Sequence, residues 1–280
     1  MLVIVLSWVS ALILVPAVAC NLGVSWKAVW LALLLELVTL LIFISTRHVQ
    51  LLQNRGRRKW RHEAEAKHRG VYRRPNDYFL FVLGSGGHTK EMLMIMDDGF
   101  CNFDGFHRRY LISSGDAMSN NHLEDYEADL KELCRQRNCS PGTYDKHTVT
   151  RARRVHQPLW STPFTALRSV VDIFPILLSP PASVAAKGRR FPSQVFSNGP
   201  ATGLFVAVAV HALKLFYVVP EDQMSFIYIE SWARITSLSL TGKLLYHAGL
   251  ADVLVAQHGE VAAKYGIPNV GPMVFNSRRG

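Results

Sequence analysis

Two long apolar stretches open the chain and precede a region in which short apolar runs alternate with helical patterns. Residues 1–19 are almost wholly apolar, and residues 28–46 are apolar except for Glu36. Nineteen helical residues span about 28 Å, which is close to the thickness of a bilayer core. The pattern predicts a membrane anchor over residues 1–46, with the second stretch as a transmembrane helix.

The first stretch leaves two interpretations open. It forms a hairpin or an interfacial helix connected to the second stretch through Cys20–Lys27, or it is a signal peptide cleaved after Ala17-Val18-Ala19. A signal peptide usually has a positively charged region before its apolar core, and no such region precedes this stretch. The sequence therefore favours one span or a hairpin.

The pattern changes after residue 75 to that of a soluble α/β domain. Apolar runs predict strands at 77–83, 109–113, 194–197, 226–230 and 252–256. Helical spacing predicts helices at 89–97, 122–137, 200–215 and 240–246. Residues 138–160 and 179–193 are polar, basic and contain proline, so we interpret them as loops. Strands that alternate with helices imply a parallel sheet covered on both faces.

Most of the positive charge lies directly after the anchor. The chain has a formal net charge of +10, and residues 47–74 hold ten Lys or Arg and two acidic residues, a net +8. Basic residues mark the cytoplasmic side of a membrane span and are attracted to anionic lipid headgroups. Residues 47–74 are therefore predicted to be a basic cytoplasmic linker. A nucleic-acid-binding surface would spread its charge over the folded domain, so no nucleic acid partner is expected.

The cysteines give no sign of a metal site. The chain has four, Cys20, Cys101, Cys134 and Cys139, and no two of them form a Cys-x-x-Cys pair. Free thiols in a reducing compartment are the simplest interpretation. Neither a metal nor a cofactor is expected.

A glycine-rich turn follows the first predicted strand and precedes a helix. It consists of Gly84, Ser85, Gly86, Gly87, His88 and Thr89. In parallel α/β sheets, ligands bind outside the carboxyl ends of the strands. Glycines let the backbone approach a phosphate, and the N–H groups of a helix N-terminus attract anions. The turn is neither a dinucleotide-binding fingerprint nor a P-loop, so diphosphate binding and a tight structural turn both remain open.

A second turn of this kind connects a later strand to a helix. Within it, Asn198, Gly199 and Thr202 are candidate ligand-binding residues, and Pro200 suits a first helical turn. Two such turns at one edge of a sheet would form a composite cleft. The alternative is that this turn serves only to start a helix.

Two residues of this region are candidates for chemistry. His88 ends the first glycine turn, where a neutral imidazole could act as a base or bind a sugar, or simply cap the helix. Glu230 ends an apolar strand, where a carboxylate needs a hydrogen-bonding partner. A sugar hydroxyl would satisfy it, and so would an ion pair with Arg234 or Arg151.

Taken in order along the chain, these motifs resemble one family over most of residues 78–265. The sequences that carry the resemblance are GSGGHTKEML, the Tyr110–Ser119 stretch with MSNN, RARR at 151–154, SNGPATG and YIESWARITSLSLTGKLLY. They are similar to the membrane-anchor subunit of the two-part UDP-N-acetylglucosamine transferase of dolichol-linked oligosaccharide synthesis. One departure is Ala201, since the family pattern at this turn is nearer GPGT.

The resemblance implies a single Rossmann-like domain over residues 75–280, the acceptor half of a split B-type glycosyltransferase. It implies addition of the second N-acetylglucosamine to N-acetylglucosaminyl-diphosphodolichol at the cytosolic face of the endoplasmic reticulum. The expected partners are a soluble catalytic subunit that binds UDP-N-acetylglucosamine, the dolichol-linked acceptor and membrane lipids. Arg151 and Arg153 become candidate phosphate contacts.

Chain length supports the need for a partner, because 206 residues after the anchor and linker suffice for one α/β domain, whereas a B-type glycosyltransferase needs two. Two alternatives remain open from the sequence. The chain could be a self-sufficient membrane glycosyltransferase that acts on a lipid-linked sugar. It could also be a tether with an inactive cleft.

Overall fold

The fold is known from a computed structural model that describes residues 25–69, 78–96, 106–151, 162–181, 190–199 and 201–273. The first apolar stretch, Pro200 and Arg153 lie outside the described residues. The described residues form two compact units. One combines the N-terminal helix with Ala212–Glu221, and the other is built around a β-sheet.

The N-terminal unit is dominated by one helix, α1, which runs from Trp26 to Arg69. Its first part, Trp26–Gly56, is long and apolar enough to cross a membrane. The helix continues without a break over residues 47–69, so most of the segment predicted as a linker is helical. The sequence there contains no proline and many Arg, Lys, Gln, Glu and Ala residues, which favour the helix.

Arg47 connects α1 to the Ala212–Glu221 segment of the same unit. Its Nη2 lies 2.6 Å from Glu221 Oε1, and its guanidinium stacks 3.8 Å from the ring centre of Tyr217. Asn54, two helical turns further on, donates a 3.0 Å hydrogen bond to Glu221 Oε2. Two polar side chains of α1 thus bind the Glu221 carboxylate, and the Arg47 side chain is almost fully buried.

The second unit contains a six-stranded sheet in the order β3-β2-β1-β4-β5-β6. All neighbouring strands are parallel. The strands are β1 (Tyr78–Leu83), β2 (His107–Ser113), β3 (Thr143–Val149), β4 (Gln194–Ser197), β5 (Ser225–Ile229) and β6 (Val253–Val255). This is the strand order of the Rossmann fold, whose direction of winding reverses between β1 and β4. The predicted α/β, Rossmann-like class is confirmed.

The described helices of this unit connect the strands. They are α2 (Gly87–Met96), α3 (Ala117–Gln136), α4 (Thr162–Leu178), α5 (Thr202–Leu215), α6 (Leu240–His247) and α7 (Gly259–Tyr265). The core between β1, β2, α2 and α3 is apolar, with Leu83, Met92, Tyr110 and Leu123 nearly inaccessible. Packing against this core fixes the start of α2, which carries the first glycine turn.

The loop prediction for residues 138–160 was wrong over β3. Thr143–Val149 pairs with β2 along its whole length, and its side chains alternate between exposed and partly buried positions. An edge strand with one solvated face contains polar residues, here Asp145, Lys146 and His147, that resemble a loop in the sequence. Helices α4 and α7 were also missing from the prediction.

Charged side chains are buried at the amino end of β2. Arg108 donates hydrogen bonds of 3.0 and 2.8 Å to the two carboxylate oxygens of Glu127 on α3. Arg109 donates bonds of 2.9 and 2.7 Å to Asp145 on β3 and a 2.7 Å bond to the carbonyl of Ile176 at the end of α4. These paired arginines fasten α3, β3 and α4 to one strand.

Candidate functional site

The two glycine-rich turns meet at the carboxyl ends of β1 and β4, which are neighbours in the sheet. Their backbones approach so closely that a β-carbon added at Gly199 would lie 3.0 Å from Gly84 Cα. A β-carbon at Gly84 would lie 2.8 Å from His88 Cβ. Such distances are shorter than normal van der Waals contacts, so glycine at both positions allows the turns to touch. The predicted composite cleft therefore has a shared backbone floor.

Asn198 fastens the second turn to the first. Its side chain is fully buried, and its Nδ2 donates a 2.9 Å hydrogen bond to the His88 carbonyl. Its Oδ1 and the Ser197 hydroxyl are buried and have no protein partner. Buried polar atoms in native proteins are nearly always hydrogen-bonded, to protein, ligand or water. Both groups lie at the point where the sheet reverses its winding, and the Ser197 hydroxyl lies against Gly203 at the start of α5.

Ser119 of helix α3 supports the first turn through hydrogen bonds. The Ser119 hydroxyl donates to the Gly84 carbonyl at 2.9 Å and lies 2.7 Å from both Thr89 Oγ1 and Asp116 Oδ2. The Gly86 amide in turn donates to Ser119 Oγ at 3.3 Å. Thr89 is fully buried and also bonds the Gly84 carbonyl. Thr89 is thus used inside the turn, whereas Ser85 is exposed.

The second turn is fastened to β2 in the same way. Thr202 Oγ1 lies 2.9 Å from Ser113 Oγ, and both side chains are buried. Next to it, Ala201 has a φ of 54°, in the left-handed region that glycine adopts at little cost. This is the position at which the resembling family pattern has glycine. Gly86 of the first turn has a φ of 52°.

His88 is held by a carboxylate that the sequence interpretation did not include. Its Nδ1 is buried and lies 3.6 Å from Glu91 Oε2, one helical turn along α2. The whole side chain is 30% exposed, so the rest of the ring faces outward. A carboxylate near Nδ1 favours the tautomer with the proton on Nδ1 and leaves Nε2 as the basic nitrogen.

Glu91 is itself fixed by three further donors. The Trp232 amide donates to Oε1 at 2.6 Å, Gln257 Nε2 donates to Oε1 at 2.8 Å, and the Ser231 hydroxyl donates to Oε2 at 2.9 Å. Burial alone would raise the pKa of Glu91, but the nearby His88 ring and hydrogen bonds from Trp232, Ser231 and Gln257 outweigh it and hold the pKa below its ordinary value. Glu91 therefore stays ionised at neutral pH.

Glu230 lies at the end of β5, as predicted, but its carboxylate points into the protein. It accepts hydrogen bonds from the Ser231 amide at 3.1 Å and from the Ser239 amide and hydroxyl at 2.9 and 3.1 Å. Ser239 is the N-cap of α6. Burial raises the pKa of Glu230, and the Ser239 and Ser231 bonds partly oppose this. A side chain at Gly242 would collide with the carboxylate, so the contact depends on glycine there.

Of the two candidate arginines, Arg151 lies two residues after the end of β3, at the same edge of the sheet. Its Nη2 lies 4.0 Å from Asp116 Oδ2, and its amide donates to the Ser114 hydroxyl at 3.1 Å. Asp116 is the N-cap of α3 and bonds Ser119. Arg151 therefore adds a positive charge beside the group that supports the first turn.

Substituting Gly199 with alanine is expected to lower the free energy of unfolding by about 1–3 kcal/mol, because the added β-carbon forces the two turns apart. Gly87→Ala is the matched control, since a β-carbon there meets nothing within 4 Å. Urea unfolding followed by circular dichroism measures both. Equal effects of the two alanines would contradict the close-contact explanation.

Sequence reasoning missed Glu91 and Ser119 as parts of this site. The sequence contains a signal for Glu91, because it stands three residues after His88 on a predicted helix and therefore on the same face. Ser119 belongs to the MSNN motif, yet the sequence gives no indication that it reaches Gly84, 35 residues away.

Comparisons with known proteins agree with this geometry. The family model described as oligosaccharide biosynthesis protein Alg14-like matches residues 79–270. The UDP-N-acetylglucosamine transferase subunit ALG14 of Mus musculus is 34% identical over 189 residues, covering 66% of this chain and 77% of that protein. The subunit of Schizosaccharomyces pombe with the same name is 30% identical over 192 residues, covering 67% and 79%.

One similar solved structure is the crystal structure of Acinetobacter baumannii MurG. It has a TM-score of 0.40 and 14% sequence identity, and the alignment covers 70% of this chain and 44% of that chain. The chain thus spans under half of MurG. From the family match over both glycine turns and the sheet between them, the chain belongs to the Alg14-like family of oligosaccharide biosynthesis proteins.

Proposed function

We propose that this chain is the membrane-anchoring, acceptor-binding subunit of a UDP-N-acetylglucosamine transferase. In this proposal it adds the second N-acetylglucosamine to N-acetylglucosaminyl-diphosphodolichol at the cytosolic face of the endoplasmic reticulum, together with a soluble subunit that binds the UDP-sugar. The main support is the contact between the two glycine turns at the switch point of the sheet, in a chain of the Alg14-like family. The apolar α1 supports the anchoring role.

The acceptor diphosphate would lie against the two turns. Gly84, Ser85, Gly87 and the start of α2 would offer backbone N–H groups and a local positive potential, while Gly86, whose amide bonds Ser119, would shape the turn. In the second turn, backbone N–H groups and a positive potential would come from Asn198, Gly199 and the start of α5. Thr89 and Thr202 would act indirectly, since their hydroxyls hold the turns in shape. Arg151 would supply a charged contact at the rim, and Arg153 remains a candidate outside the described residues.

His88 would act as the general base. In the transfer step, the 4-hydroxyl oxygen of the acceptor sugar attacks C1 of the donor sugar, and the bond from C1 to UDP breaks. The hydroxyl proton passes to His88 Nε2, while Glu91 holds the ring through Nδ1. UDP leaves with the bonding electrons into the partner subunit. Glu230 would keep β5 and α6 in register, because both of its oxygens bond protein donors.

The test is purification of the full chain in detergent, followed by assays of sugar transfer alone and with a candidate soluble partner. The proposal expects no transfer by the chain alone, and transfer of one N-acetylglucosamine to the diphospholipid acceptor once the partner is added. Transfer by the chain alone would establish a self-sufficient enzyme instead. Normal sugar transfer to the acceptor by a complex that contains the Gly199→Ala chain would indicate that this chain serves only as a tether.

A further inference from the structure

Helix α4 turns an apolar face to the outside of the sheet unit. Phe164, Leu167 and Val171 are 73%, 64% and 57% exposed. The spacing of three and four residues places them on one stripe of the helix. The opposite face of α4 carries Ile173 and Leu177, which are fully buried. A soluble surface rarely leaves three large apolar side chains together in water, so the stripe indicates a contact surface.

The stripe lies toward the edge of the sheet that carries the glycine turns. Asp172, in the middle of α4, accepts a 3.3 Å hydrogen bond from the amide of Thr150, which directly follows β3 at its carboxyl end. The other end of α4 is bonded by Arg109 near the amino end of β2. Helix α4 therefore runs from the carboxyl edge to the amino edge. Phe164, eight residues before Asp172, is about 12 Å further along the helix on the side of the site.

The charges of this face match an anionic lipid surface. Arg168 is exposed between Phe164 and Val171. The acidic residue of α4, Asp172, is engaged by Thr150 through both its amide and its hydroxyl. Of the described basic residues nearby in the chain, Arg151 precedes the helix and the exposed Arg190 follows it. An apolar stripe flanked by basic residues is the pattern of a helix that lies in a membrane interface.

We infer that the outer face of α4 docks on the membrane as a second contact, separate from α1. Phe164, Leu167 and Val171 enter the boundary between headgroups and acyl chains, and Arg168 extends its guanidinium to lipid phosphates. Given the proposed function, on which this consequence rests, the contact brings the glycine turns to the level of the acceptor diphosphate. The hydrocarbon tail of the acceptor then remains in the bilayer during transfer.

Site-directed spin labelling of the full chain tests this surface. The protein is reconstituted in vesicles of phosphatidylcholine and phosphatidylserine, with its four native cysteines replaced by alanine. Single cysteines at Phe164, Leu167 or Val171 carry a nitroxide, and Lys131→Cys on the exposed side of α3 is the matched control. The stripe labels are expected to be severalfold less accessible to a water-soluble nickel complex than the control, and more accessible to oxygen.

Equal nickel accessibility at the stripe and at Lys131 in vesicles would overturn the inference. Protection that appears only after addition of a soluble partner protein would also overturn it, since the face would then be a protein interface. The measurement does not depend on sugar transfer, so it separates this contact from the proposed activity. As a second measurement, Leu167→Ser with Val171→Ser should raise KM for a long-chain acceptor severalfold and leave a short water-soluble analogue unaffected. Equal KM changes for both acceptors would count against docking.

Discussion

Replacement of His88 by alanine in the assembled transferase should lower kcat by roughly 10²- to 10⁴-fold, the range for loss of a general base. The expectation follows from the geometry of the ring, with Nδ1 buried beside Glu91 and the rest of the ring facing outward. Binding of the acceptor should change little, because the proposed function has the turns hold its diphosphate through their backbones. Rapid-quench kinetics with the lipid-linked acceptor, alongside co-purification of the partner, measures the two effects separately.

The companion variant Glu91→Gln tests whether the carboxylate positions the histidine. A smaller loss of kcat than in His88→Ala is expected, because the amide keeps the shape of the side chain but removes the negative charge beside Nδ1. Glu91→Asp should recover part of the activity. A loss of activity that follows reduced folding would make Glu91 structural, and a KM change alone in His88→Ala would place His88 in binding.

Removal of the buried charge of Arg108 should be the most destabilising single change in the sheet unit. Arg108→Met removes the ion-pair partner of the buried Glu127 side chain and leaves it the 2.5 Å hydrogen bond from Tyr110. Breaking one partner of a buried ion pair costs about 3–5 kcal/mol in the free energy of unfolding. Replacing both partners, as in Arg108→Met with Glu127→Leu, should recover most of the loss, because no unpaired charge is then buried.

The matched control is Arg135→Gln, which breaks the pair between Arg135 and Glu132 on the outside of α3. Those side chains are 75% and 51% exposed, and exposed pairs contribute at most about 1 kcal/mol. Urea unfolding in detergent, followed by circular dichroism, compares the three variants. A loss in Arg108→Met no larger than in the control would show that the buried pair contributes little. A double variant as unstable as the single one would point to lost packing.

Apolar runs identified most of the central sheet from the sequence. The predicted strand at 194–197 matches β4, and the other predicted strands agree with the structure to within two residues at either end. The central strands β1 and β2 are buried on both faces, so their composition is distinctive. The search for apolar runs missed the edge strand β3, because half of its side chains face solvent. The buried arginines of β2 were unpredictable as pairs, since Glu127 and Asp145 lie 19 and 36 residues away.

The site was partly predictable for a related reason. Glycine turns after apolar strands are local signals, and both predicted turns lie at the switch point. The sequence could not show which glycines matter for contact, because that depends on the pairing of β1 with β4. Gly84 and Gly199 prove to be the crowded positions, while Gly87 is open. The roles proposed for Glu230 and Glu91 likewise depend on partners from β5, β6 and the loops after them.

The contact between Arg47 and Glu221 has a consequence for the order of events during synthesis. Asn54 and Glu221 are 167 residues apart, and Glu221 follows the first four strands of the sheet in the chain. At about 5–20 residues per second, the ribosome needs roughly 8–33 seconds to extend the chain that far. Helix α1 is therefore complete, and free to enter a bilayer, well before its polar partner exists. The contact that joins α1 to residues 212–221 can therefore form only late in synthesis, after the first four strands have been made.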